Sequence, residues 1–177
     1  VYKRQFTCFV NKLGTNVELD AKIRETNSME AINAVVECEY KFEQAVDDTG
    51  KPTSRPRGGM ITLVIPSTND DDMFFYNWMF HKSEAKAGII RFRLYSNENK
   101  ISYKTVSFAN AYCVGLRDYF NDHDEKLMYT TITISAQVIR IGATNSSTFT
   151  NAWTNDSIDM IISNLGEFVR DLSLIHI

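Results

Sequence analysis

The feature that most narrows what this chain can fold into is alternation. At Val36, Cys38, Tyr40 and Phe42 an apolar side chain recurs every second residue, with Glu37, Glu39, Lys41 and Glu43 filling the places between. Only an extended strand puts residues i, i+2 and i+4 on one face. The stretch therefore predicts a strand with one face in a core and the other in water. The same period appears in Leu19, Ala21 and Ile23 against Asp20, Lys22 and Arg24, and again in Met60–Ile65, which stops at Pro66 for want of a ladder N–H. Ile89–Tyr95 and Ile101–Phe108 flank polar Ser96–Lys100 as a hairpin. Ala111–Phe120 and Met128–Ile141 read as two more strands around the polar loop Asn121–Lys126, with Ile132, Ile134, Ala136 and Val138 expected on one face. The chain is read as mainly β, its core ending near Ile141.

Two interruptions break this rhythm. Asp47–Gly59 holds three glycines and two prolines, Pro52 and Pro56, residues that free or fix φ; it is expected to exclude regular structure and to form a long loop. A loop of that length in a compact domain is more often functional than connective. Further on, Ser67–Asp72 offers side-chain oxygens and acid for a helix N-terminus. The helix expected there runs to about His81. Met73, Phe74, Phe75, Tyr76, Trp78, Met79 and Phe80 cover almost its whole circumference, which predicts burial on every side, by its own sheet and by a neighbouring subunit.

The ends are set apart. The DNA string GTGTATAAGAGACAG encodes Val1–Gln5, and its reverse complement CTGTCTCTTATACAC encodes Leu172–His176. Such symmetry is expected of a sequencing adapter read through in frame, so residues 1–5 and 172–177 are excluded from fold reasoning, His176 with them. Residues 1–16 are placed outside the core, 17–142 form the one folded domain, 143–156 read as a Ser/Thr/Asn-rich linker, and 157–177 hold an amphipathic helix through Ile158, Ile161, Ile162, Leu165, Phe168 and Val169.

Composition and motifs then exclude functions. The 177 residues are 44% hydrophobic, with eleven Phe and eight Tyr, enough for one sizeable core. A net charge of −3 argues against a general nucleic-acid binder, and no apolar run approaches the ~20 residues that span a bilayer. Cys8, Cys38 and Cys113 form no Cys-x-x-Cys pair and are expected to be reduced. His81 and His123 lie in no metal or nucleophile motif. Asn121–Glu125 has the wrong spacing for a calcium loop, and Lys51 is followed by Pro52 where a phosphate loop needs Ser or Thr. No enzyme, cofactor or metal site is expected.

Several ordered motifs point the same way. Thr49-Gly50-Lys51-Pro52 is followed by Arg57-Gly58-Gly59 opening a strand; Ser67-Thr68-Asn69-Asp70 leads into a helix with Trp78-Met79; Lys104 and Phe108 precede Asn110-Ala111-Tyr112; and Thr130–Ile141 closes the order. Across Leu19–Ile141 the chain resembles the Hcp, or TssD, tube protein of the type VI secretion system. The resemblance implies a two-sheet β-barrel flanked by one α-helix, with the C-terminal helix as an addition. It implies six copies closing into a ring and rings stacking into a tube. It further implies partners in a VgrG-type spike, a contractile sheath and effector proteins, with assembly in the cytoplasm and secretion on firing. In such a stack Gly50, Lys51, Pro52, Arg55, Arg57, Gly58 and Gly59 are expected to form a semi-rigid arm that meets an acidic surface such as Asp122, Asp124 and Glu125 on the next ring. Met73, Phe74, Phe75, Trp78 and Met79 are expected to be buried in the subunit or its ring interface. A phage tail-tube subunit shares this logic, and a β-barrel ligand-binding module is the alternative that can stay monomeric.

Overall fold

A computed structural model of the chain describes residues 6–11, 31–67, 73–82, 85–95, 101–120, 128–153, 159, 161–163 and 165. The strands among them are β1 (Phe6–Asn11), β2 (Ala31–Val35), β3 (Glu37–Tyr40), β4 (Met60–Pro66), β5 (Lys86–Tyr95), β6 (Ile101–Tyr119), β7 (Tyr129–Ile141) and β8 (Ser147–Thr150), and helix α1 (Phe74–Phe80) joins β4 to β5. Every pairing is antiparallel. The order is β2-β1-β5-β6-β7-β4-β3, with β8 also paired to β7.

β2 and β3 stand at opposite edges of this sheet, yet only Val36 separates them in sequence. The Val36 N–H donates to the Val64 carbonyl at 2.8 Å. One extended segment therefore pairs with β1 over its first half and with β4 over its second, and the sheet curls until its edges share a strand. The change of partner also resets the alternation. Val36, expected inside, is 49% exposed, while Val35 is buried and Cys38, Tyr40 and Phe42 pack against the core.

A corner in the long strands gives the barrel its two walls. Ile101–Phe108 and Ala111–Phe120, expected as separate strands, form the single 19-residue β6. It turns at Asn110, whose φ of 47° lies in the left-handed region that Asn tolerates better than most residues. Core-facing positions shift there from Val106 and Phe108 to Ala111 and Cys113; across the ladder they shift from Ile139 to Ala136, Ile134 and Ile132. Asn110 donates from its side chain to buried Gln137 at 2.5 Å, so the irregularity is satisfied internally. Ala109 and Val138 then face the opposite side, against Leu165, Ile161 and Ile162. This corrects the placing of Val138 in line with Ile132, Ile134 and Ala136.

The remaining expectations meet the structure unevenly. β4 alternates as read, with Ile61, Leu63 and Ile65 buried. The β5–β6 hairpin pairs Tyr95 with Ile101, and β6 pairs with β7 from Tyr119–Tyr129 onward. Residues 1–16, set outside the core, contribute β1, an interior strand between β2 and β5. The stretch read as a linker contributes β8, an edge strand rich in Ser and Thr, whose exposed side chains carry no apolar alternation. Residues 159, 161–163 and 165 are helical, within the stretch where a C-terminal helix is expected. The strand at Leu19–Arg24, the loop Asn121–Lys126 and both adapter-like ends lie outside the described residues.

Candidate functional site

The stretch Asp47–Gly59 is expected to lack regular structure, and in the structure most of it belongs to a longer ordered segment, Glu43–Arg57. That segment is an irregular antiparallel hairpin. Glu43 and Arg57 exchange both backbone hydrogen bonds, at 2.9 and 2.7 Å. Nearer the tip Val46 faces Pro52, flanked by Asp47 N–H to the Lys51 carbonyl (2.9 Å) and Thr53 N–H to the Ala45 carbonyl (2.8 Å). Pro52 thus sits at a non-hydrogen-bonded ladder position, where its missing N–H is not asked for. The tip is a three-residue loop with Gly50 at φ +85° and its N–H donating to the Asp47 carbonyl at 2.9 Å.

Asp47, which the sequence reading left unused, fastens that tip. Its Oδ1 accepts from the Thr49 hydroxyl at 2.7 Å and from the N–H groups of Thr49 and Lys51 at 2.9 Å each. The Thr49 hydroxyl first, then these backbone donors, hold the carboxyl below its ordinary value. Its charge is thereby spent inside the turn. Lys51, Arg55 and Arg57 lie exposed along the arm, Pro52 on its tip-side strand. Gly58 and Gly59 carry the chain back into β4: Gly59 has φ +94°, and its carbonyl accepts from Ala136 N–H at 2.7 Å. The acidic residues Asp122, Asp124 and Glu125, expected to meet such an arm, lie outside the described residues.

The second element is α1. It starts at Phe74, with Met73 as N-cap and no side-chain cap. Ser67 is not its cap: it ends β4's wall, its N–H on the Met128 carbonyl at 2.9 Å and its hydroxyl 2.7 Å from that of Thr130. Phe74, Phe75 and Trp78 are buried, with ring centroids 5.2 to 6.4 Å apart. Met79 is half-buried against the core. Within the chain, then, the helix is covered on one face and not all round; Met73 is exposed, and Phe80 is 78% exposed. Lys86, only 2% exposed, lays its Nζ 5.2 Å from the Phe74 ring and 5.9 Å from Trp78, a cation–π contact that the alternation of β5 gave no sign of. On the outer side the Tyr76 hydroxyl donates to Asp118 at 2.6 Å, and Asp118 also accepts from the Thr130 hydroxyl at 2.6 Å. The bond to Asp118 raises the Tyr76 phenol above its usual value. Tyr119, Phe120 and Met128, at the neighbouring strand ends, are exposed.

The His81 Nδ1–H donates to the Asn77 carbonyl at 2.6 Å, closing the helix end. Burial pushes the Cys38 thiol up to about 12 and raises that of Cys113, so neither is a nucleophile at neutral pH. Among the described residues no group of three His, Cys, Asp or Glu is placed to hold a metal ion, and no helix is long and apolar enough to cross a membrane.

Residues 14–154 match the family model described as hemolysin coregulated protein Hcp (TssD). Among solved structures, Hcp1 from Flavobacterium johnsoniae is 24% identical with a TM-score of 0.63, over 83% of this chain and 99% of that one. A mutant Hcp1 protein from the E. coli EAEC 042 pathovar is 11% identical with a TM-score of 0.61, over 84% and 99%. Hcp1 from Salmonella typhimurium is 10% identical with a TM-score of 0.52, over 82% and 92%. No curated protein sequence matches. The structural likenesses establish the Hcp fold, and the family match spans most of the sequence: the chain belongs to the Hcp (TssD) family, the non-enzymatic tube proteins of type VI secretion.

Proposed function

We propose that this chain is the repeating subunit of an inner tube, that six copies close into a ring, and that rings stack head to tail through the arm between Glu43 and Gly59. The tube assembles in the cytoplasm, and a contractile sheath expels it with a VgrG-type spike and its effectors. What supports the reading most is the arm itself, exposed from Glu43 to Arg57 except at half-buried Ser54 and yet hydrogen-bonded from base to tip. Ordering an exposed segment in this way opposes conformational entropy without burying a core. A rigid projection makes physical sense as one half of an interface. The outer face of α1, with Met73 and Phe80, and the nearby Tyr119, Phe120 and Met128 offer apolar surface for ring closure.

The test is charge reversal at Arg55→Asp with Arg57→Asp, followed by electron microscopy and a secretion assay. Intact rings without tubes or secretion are expected, since a head-to-tail contact pairs two different faces and tolerates reversal of one poorly. Normal tubes would remove the arm from stacking. Loss of the ring would assign it to the other interface.

A further inference from the structure

We propose that β8 and the residue after it form a clamp that aims the arm, with Asn151 as its positioning residue; this rests on the arm serving as the stacking element. The partner of β7 changes where the arm returns: β4 covers it up to Met60–Ser135, and β8 covers it from Val138–Thr150. Asn151 fills the seam. Its backbone N–H donates to the Gln137 carbonyl at 2.8 Å, while its side-chain Nδ2 donates to the Ala136 carbonyl at 2.9 Å and to the Gly58 carbonyl at 3.3 Å. Both amide hydrogens are thereby used, and two backbone acceptors that neither strand reaches are satisfied. The approach is so close that a Cβ at Gly59 would collide with the Asn151 amide.

The other half of the clamp is aromatic. Phe149 of β8 packs on Phe42 with ring centroids 4.9 Å apart, and the Phe42 ring in turn lies against Gly58. Phe42 enters the outgoing side of the arm and Gly58 leaves the returning side. One short segment, 149–151, grips both. Geometry makes the grip matter: at about 3.3 Å per residue the arm reaches roughly 20 Å, so a swing of about 10° at its base moves the tip by roughly 3.5 Å. That displacement exceeds the reach of a hydrogen bond.

The experiment compares Asn151→Asp in the full chain with wild type. The substitution keeps side-chain size but turns the amide donor into an acceptor facing two carbonyls. Hydrogen exchange is read at the Glu43, Thr53 and Arg57 amides of the arm and at the Ile61 and Ile134 amides of the core, beside ring mass and tube length. Arm exchange faster by about tenfold with core exchange unchanged is expected, together with intact rings and shortened or absent tubes. Phe149→Ala repeats the effect, and Phe149→Leu, which keeps apolar contact with Phe42, restores most of it. Unchanged arm exchange overturns the proposal, as does an equal rise in the core, which would make Asn151 a general fold residue. Looser arms with tubes of normal length overturn the aiming role alone. The Arg55→Asp, Arg57→Asp variant separately reports whether the arm stacks at all.

Discussion

Replacing Trp78 by Ala should damage this protein more than any change in the arm. Trp78 is 1% exposed, wedged between Phe74 and Phe75 of its own helix and the sheet. Truncating a buried Trp costs about 3 to 5 kcal/mol through lost transfer energy and the cavity left behind. A second effect adds to it: Lys86 Nζ loses one of its two aromatic faces, 5.9 Å away, worth a further ~0.5 to 2 kcal/mol at a desolvated site. A total near 5 kcal/mol is a large part of the ~5 to 15 kcal/mol that holds a typical domain together. At this chain length it should lower the melting temperature by roughly 10 to 20 °C. Thermal unfolding followed by circular dichroism measures this, with Trp78→Phe losing less because a ring remains above Lys86. Lys51→Ala, on the exposed arm, should stay within about 0.5 kcal/mol. A Trp78→Ala melting point within about 3 °C of wild type, or no lower than that of Lys51→Ala, would refute the placement of the helix face.

Gly59→Ala and Gly50→Ala separate backbone strain from collision. Both positions have positive φ, but a Cβ at Gly50 meets open space while one at Gly59 meets Asn151 and, at 2.7 Å, the Ala136 carbonyl; urea unfolding should show a loss of about 1 kcal/mol for Gly50→Ala and clearly more for Gly59→Ala, and equal losses would contradict the seam geometry. Asp47 predicts pH dependence in the arm alone. Its carboxyl is held below the ordinary value by the Thr49 hydroxyl and backbone donors, so its contribution is present above the unfolded carboxylate pKa and lost as pH falls through the lower folded one; NMR shifts of the Thr49 and Lys51 amides should titrate with that lowered midpoint and lose the titration in Asp47→Asn. Tyr76→Phe removes the bond to Asp118 and should cost about 1 kcal/mol, since Thr130 still donates to that carboxylate; an unchanged unfolding midpoint would count against the bond.

Where one face of a strand meets water, the sequence was easy to read. β4 shows its alternation in letters, with Ile61, Leu63 and Ile65 inward and Thr62 between them, and β5 and β6 follow the hairpin drawn from Ser96–Lys100. Legibility failed where strands change partner or direction. At Val36 one residue serves as the joint between two edges, and at Asn110 a left-handed residue shifts the core-facing register by one, so the alternation on either side is correct and the continuation across it is not. β8 escaped because an edge strand of Ser and Thr has no apolar stripe to display, and β1 because an interior strand need not alternate. In the candidate site the arm's length, prolines and basic residues were visible. Its order was not, since it depends on the Asp47 side chain acting within the turn and on Asn151, far along the chain, reaching Gly58. Lys86 was hidden for another reason: a lone Lys next to an apolar strand reads as surface, and the rings of a helix packed over it help to make its burial tolerable.

The proposed tube subunit works only as a closed ring of identical copies. Mass photometry of the purified chain at nanomolar to micromolar concentration decides whether that ring forms. A species of six times the 20.3 kDa chain mass, growing into longer stacks as concentration rises, is the predicted result; a single species at the monomer mass across that whole range would contradict it.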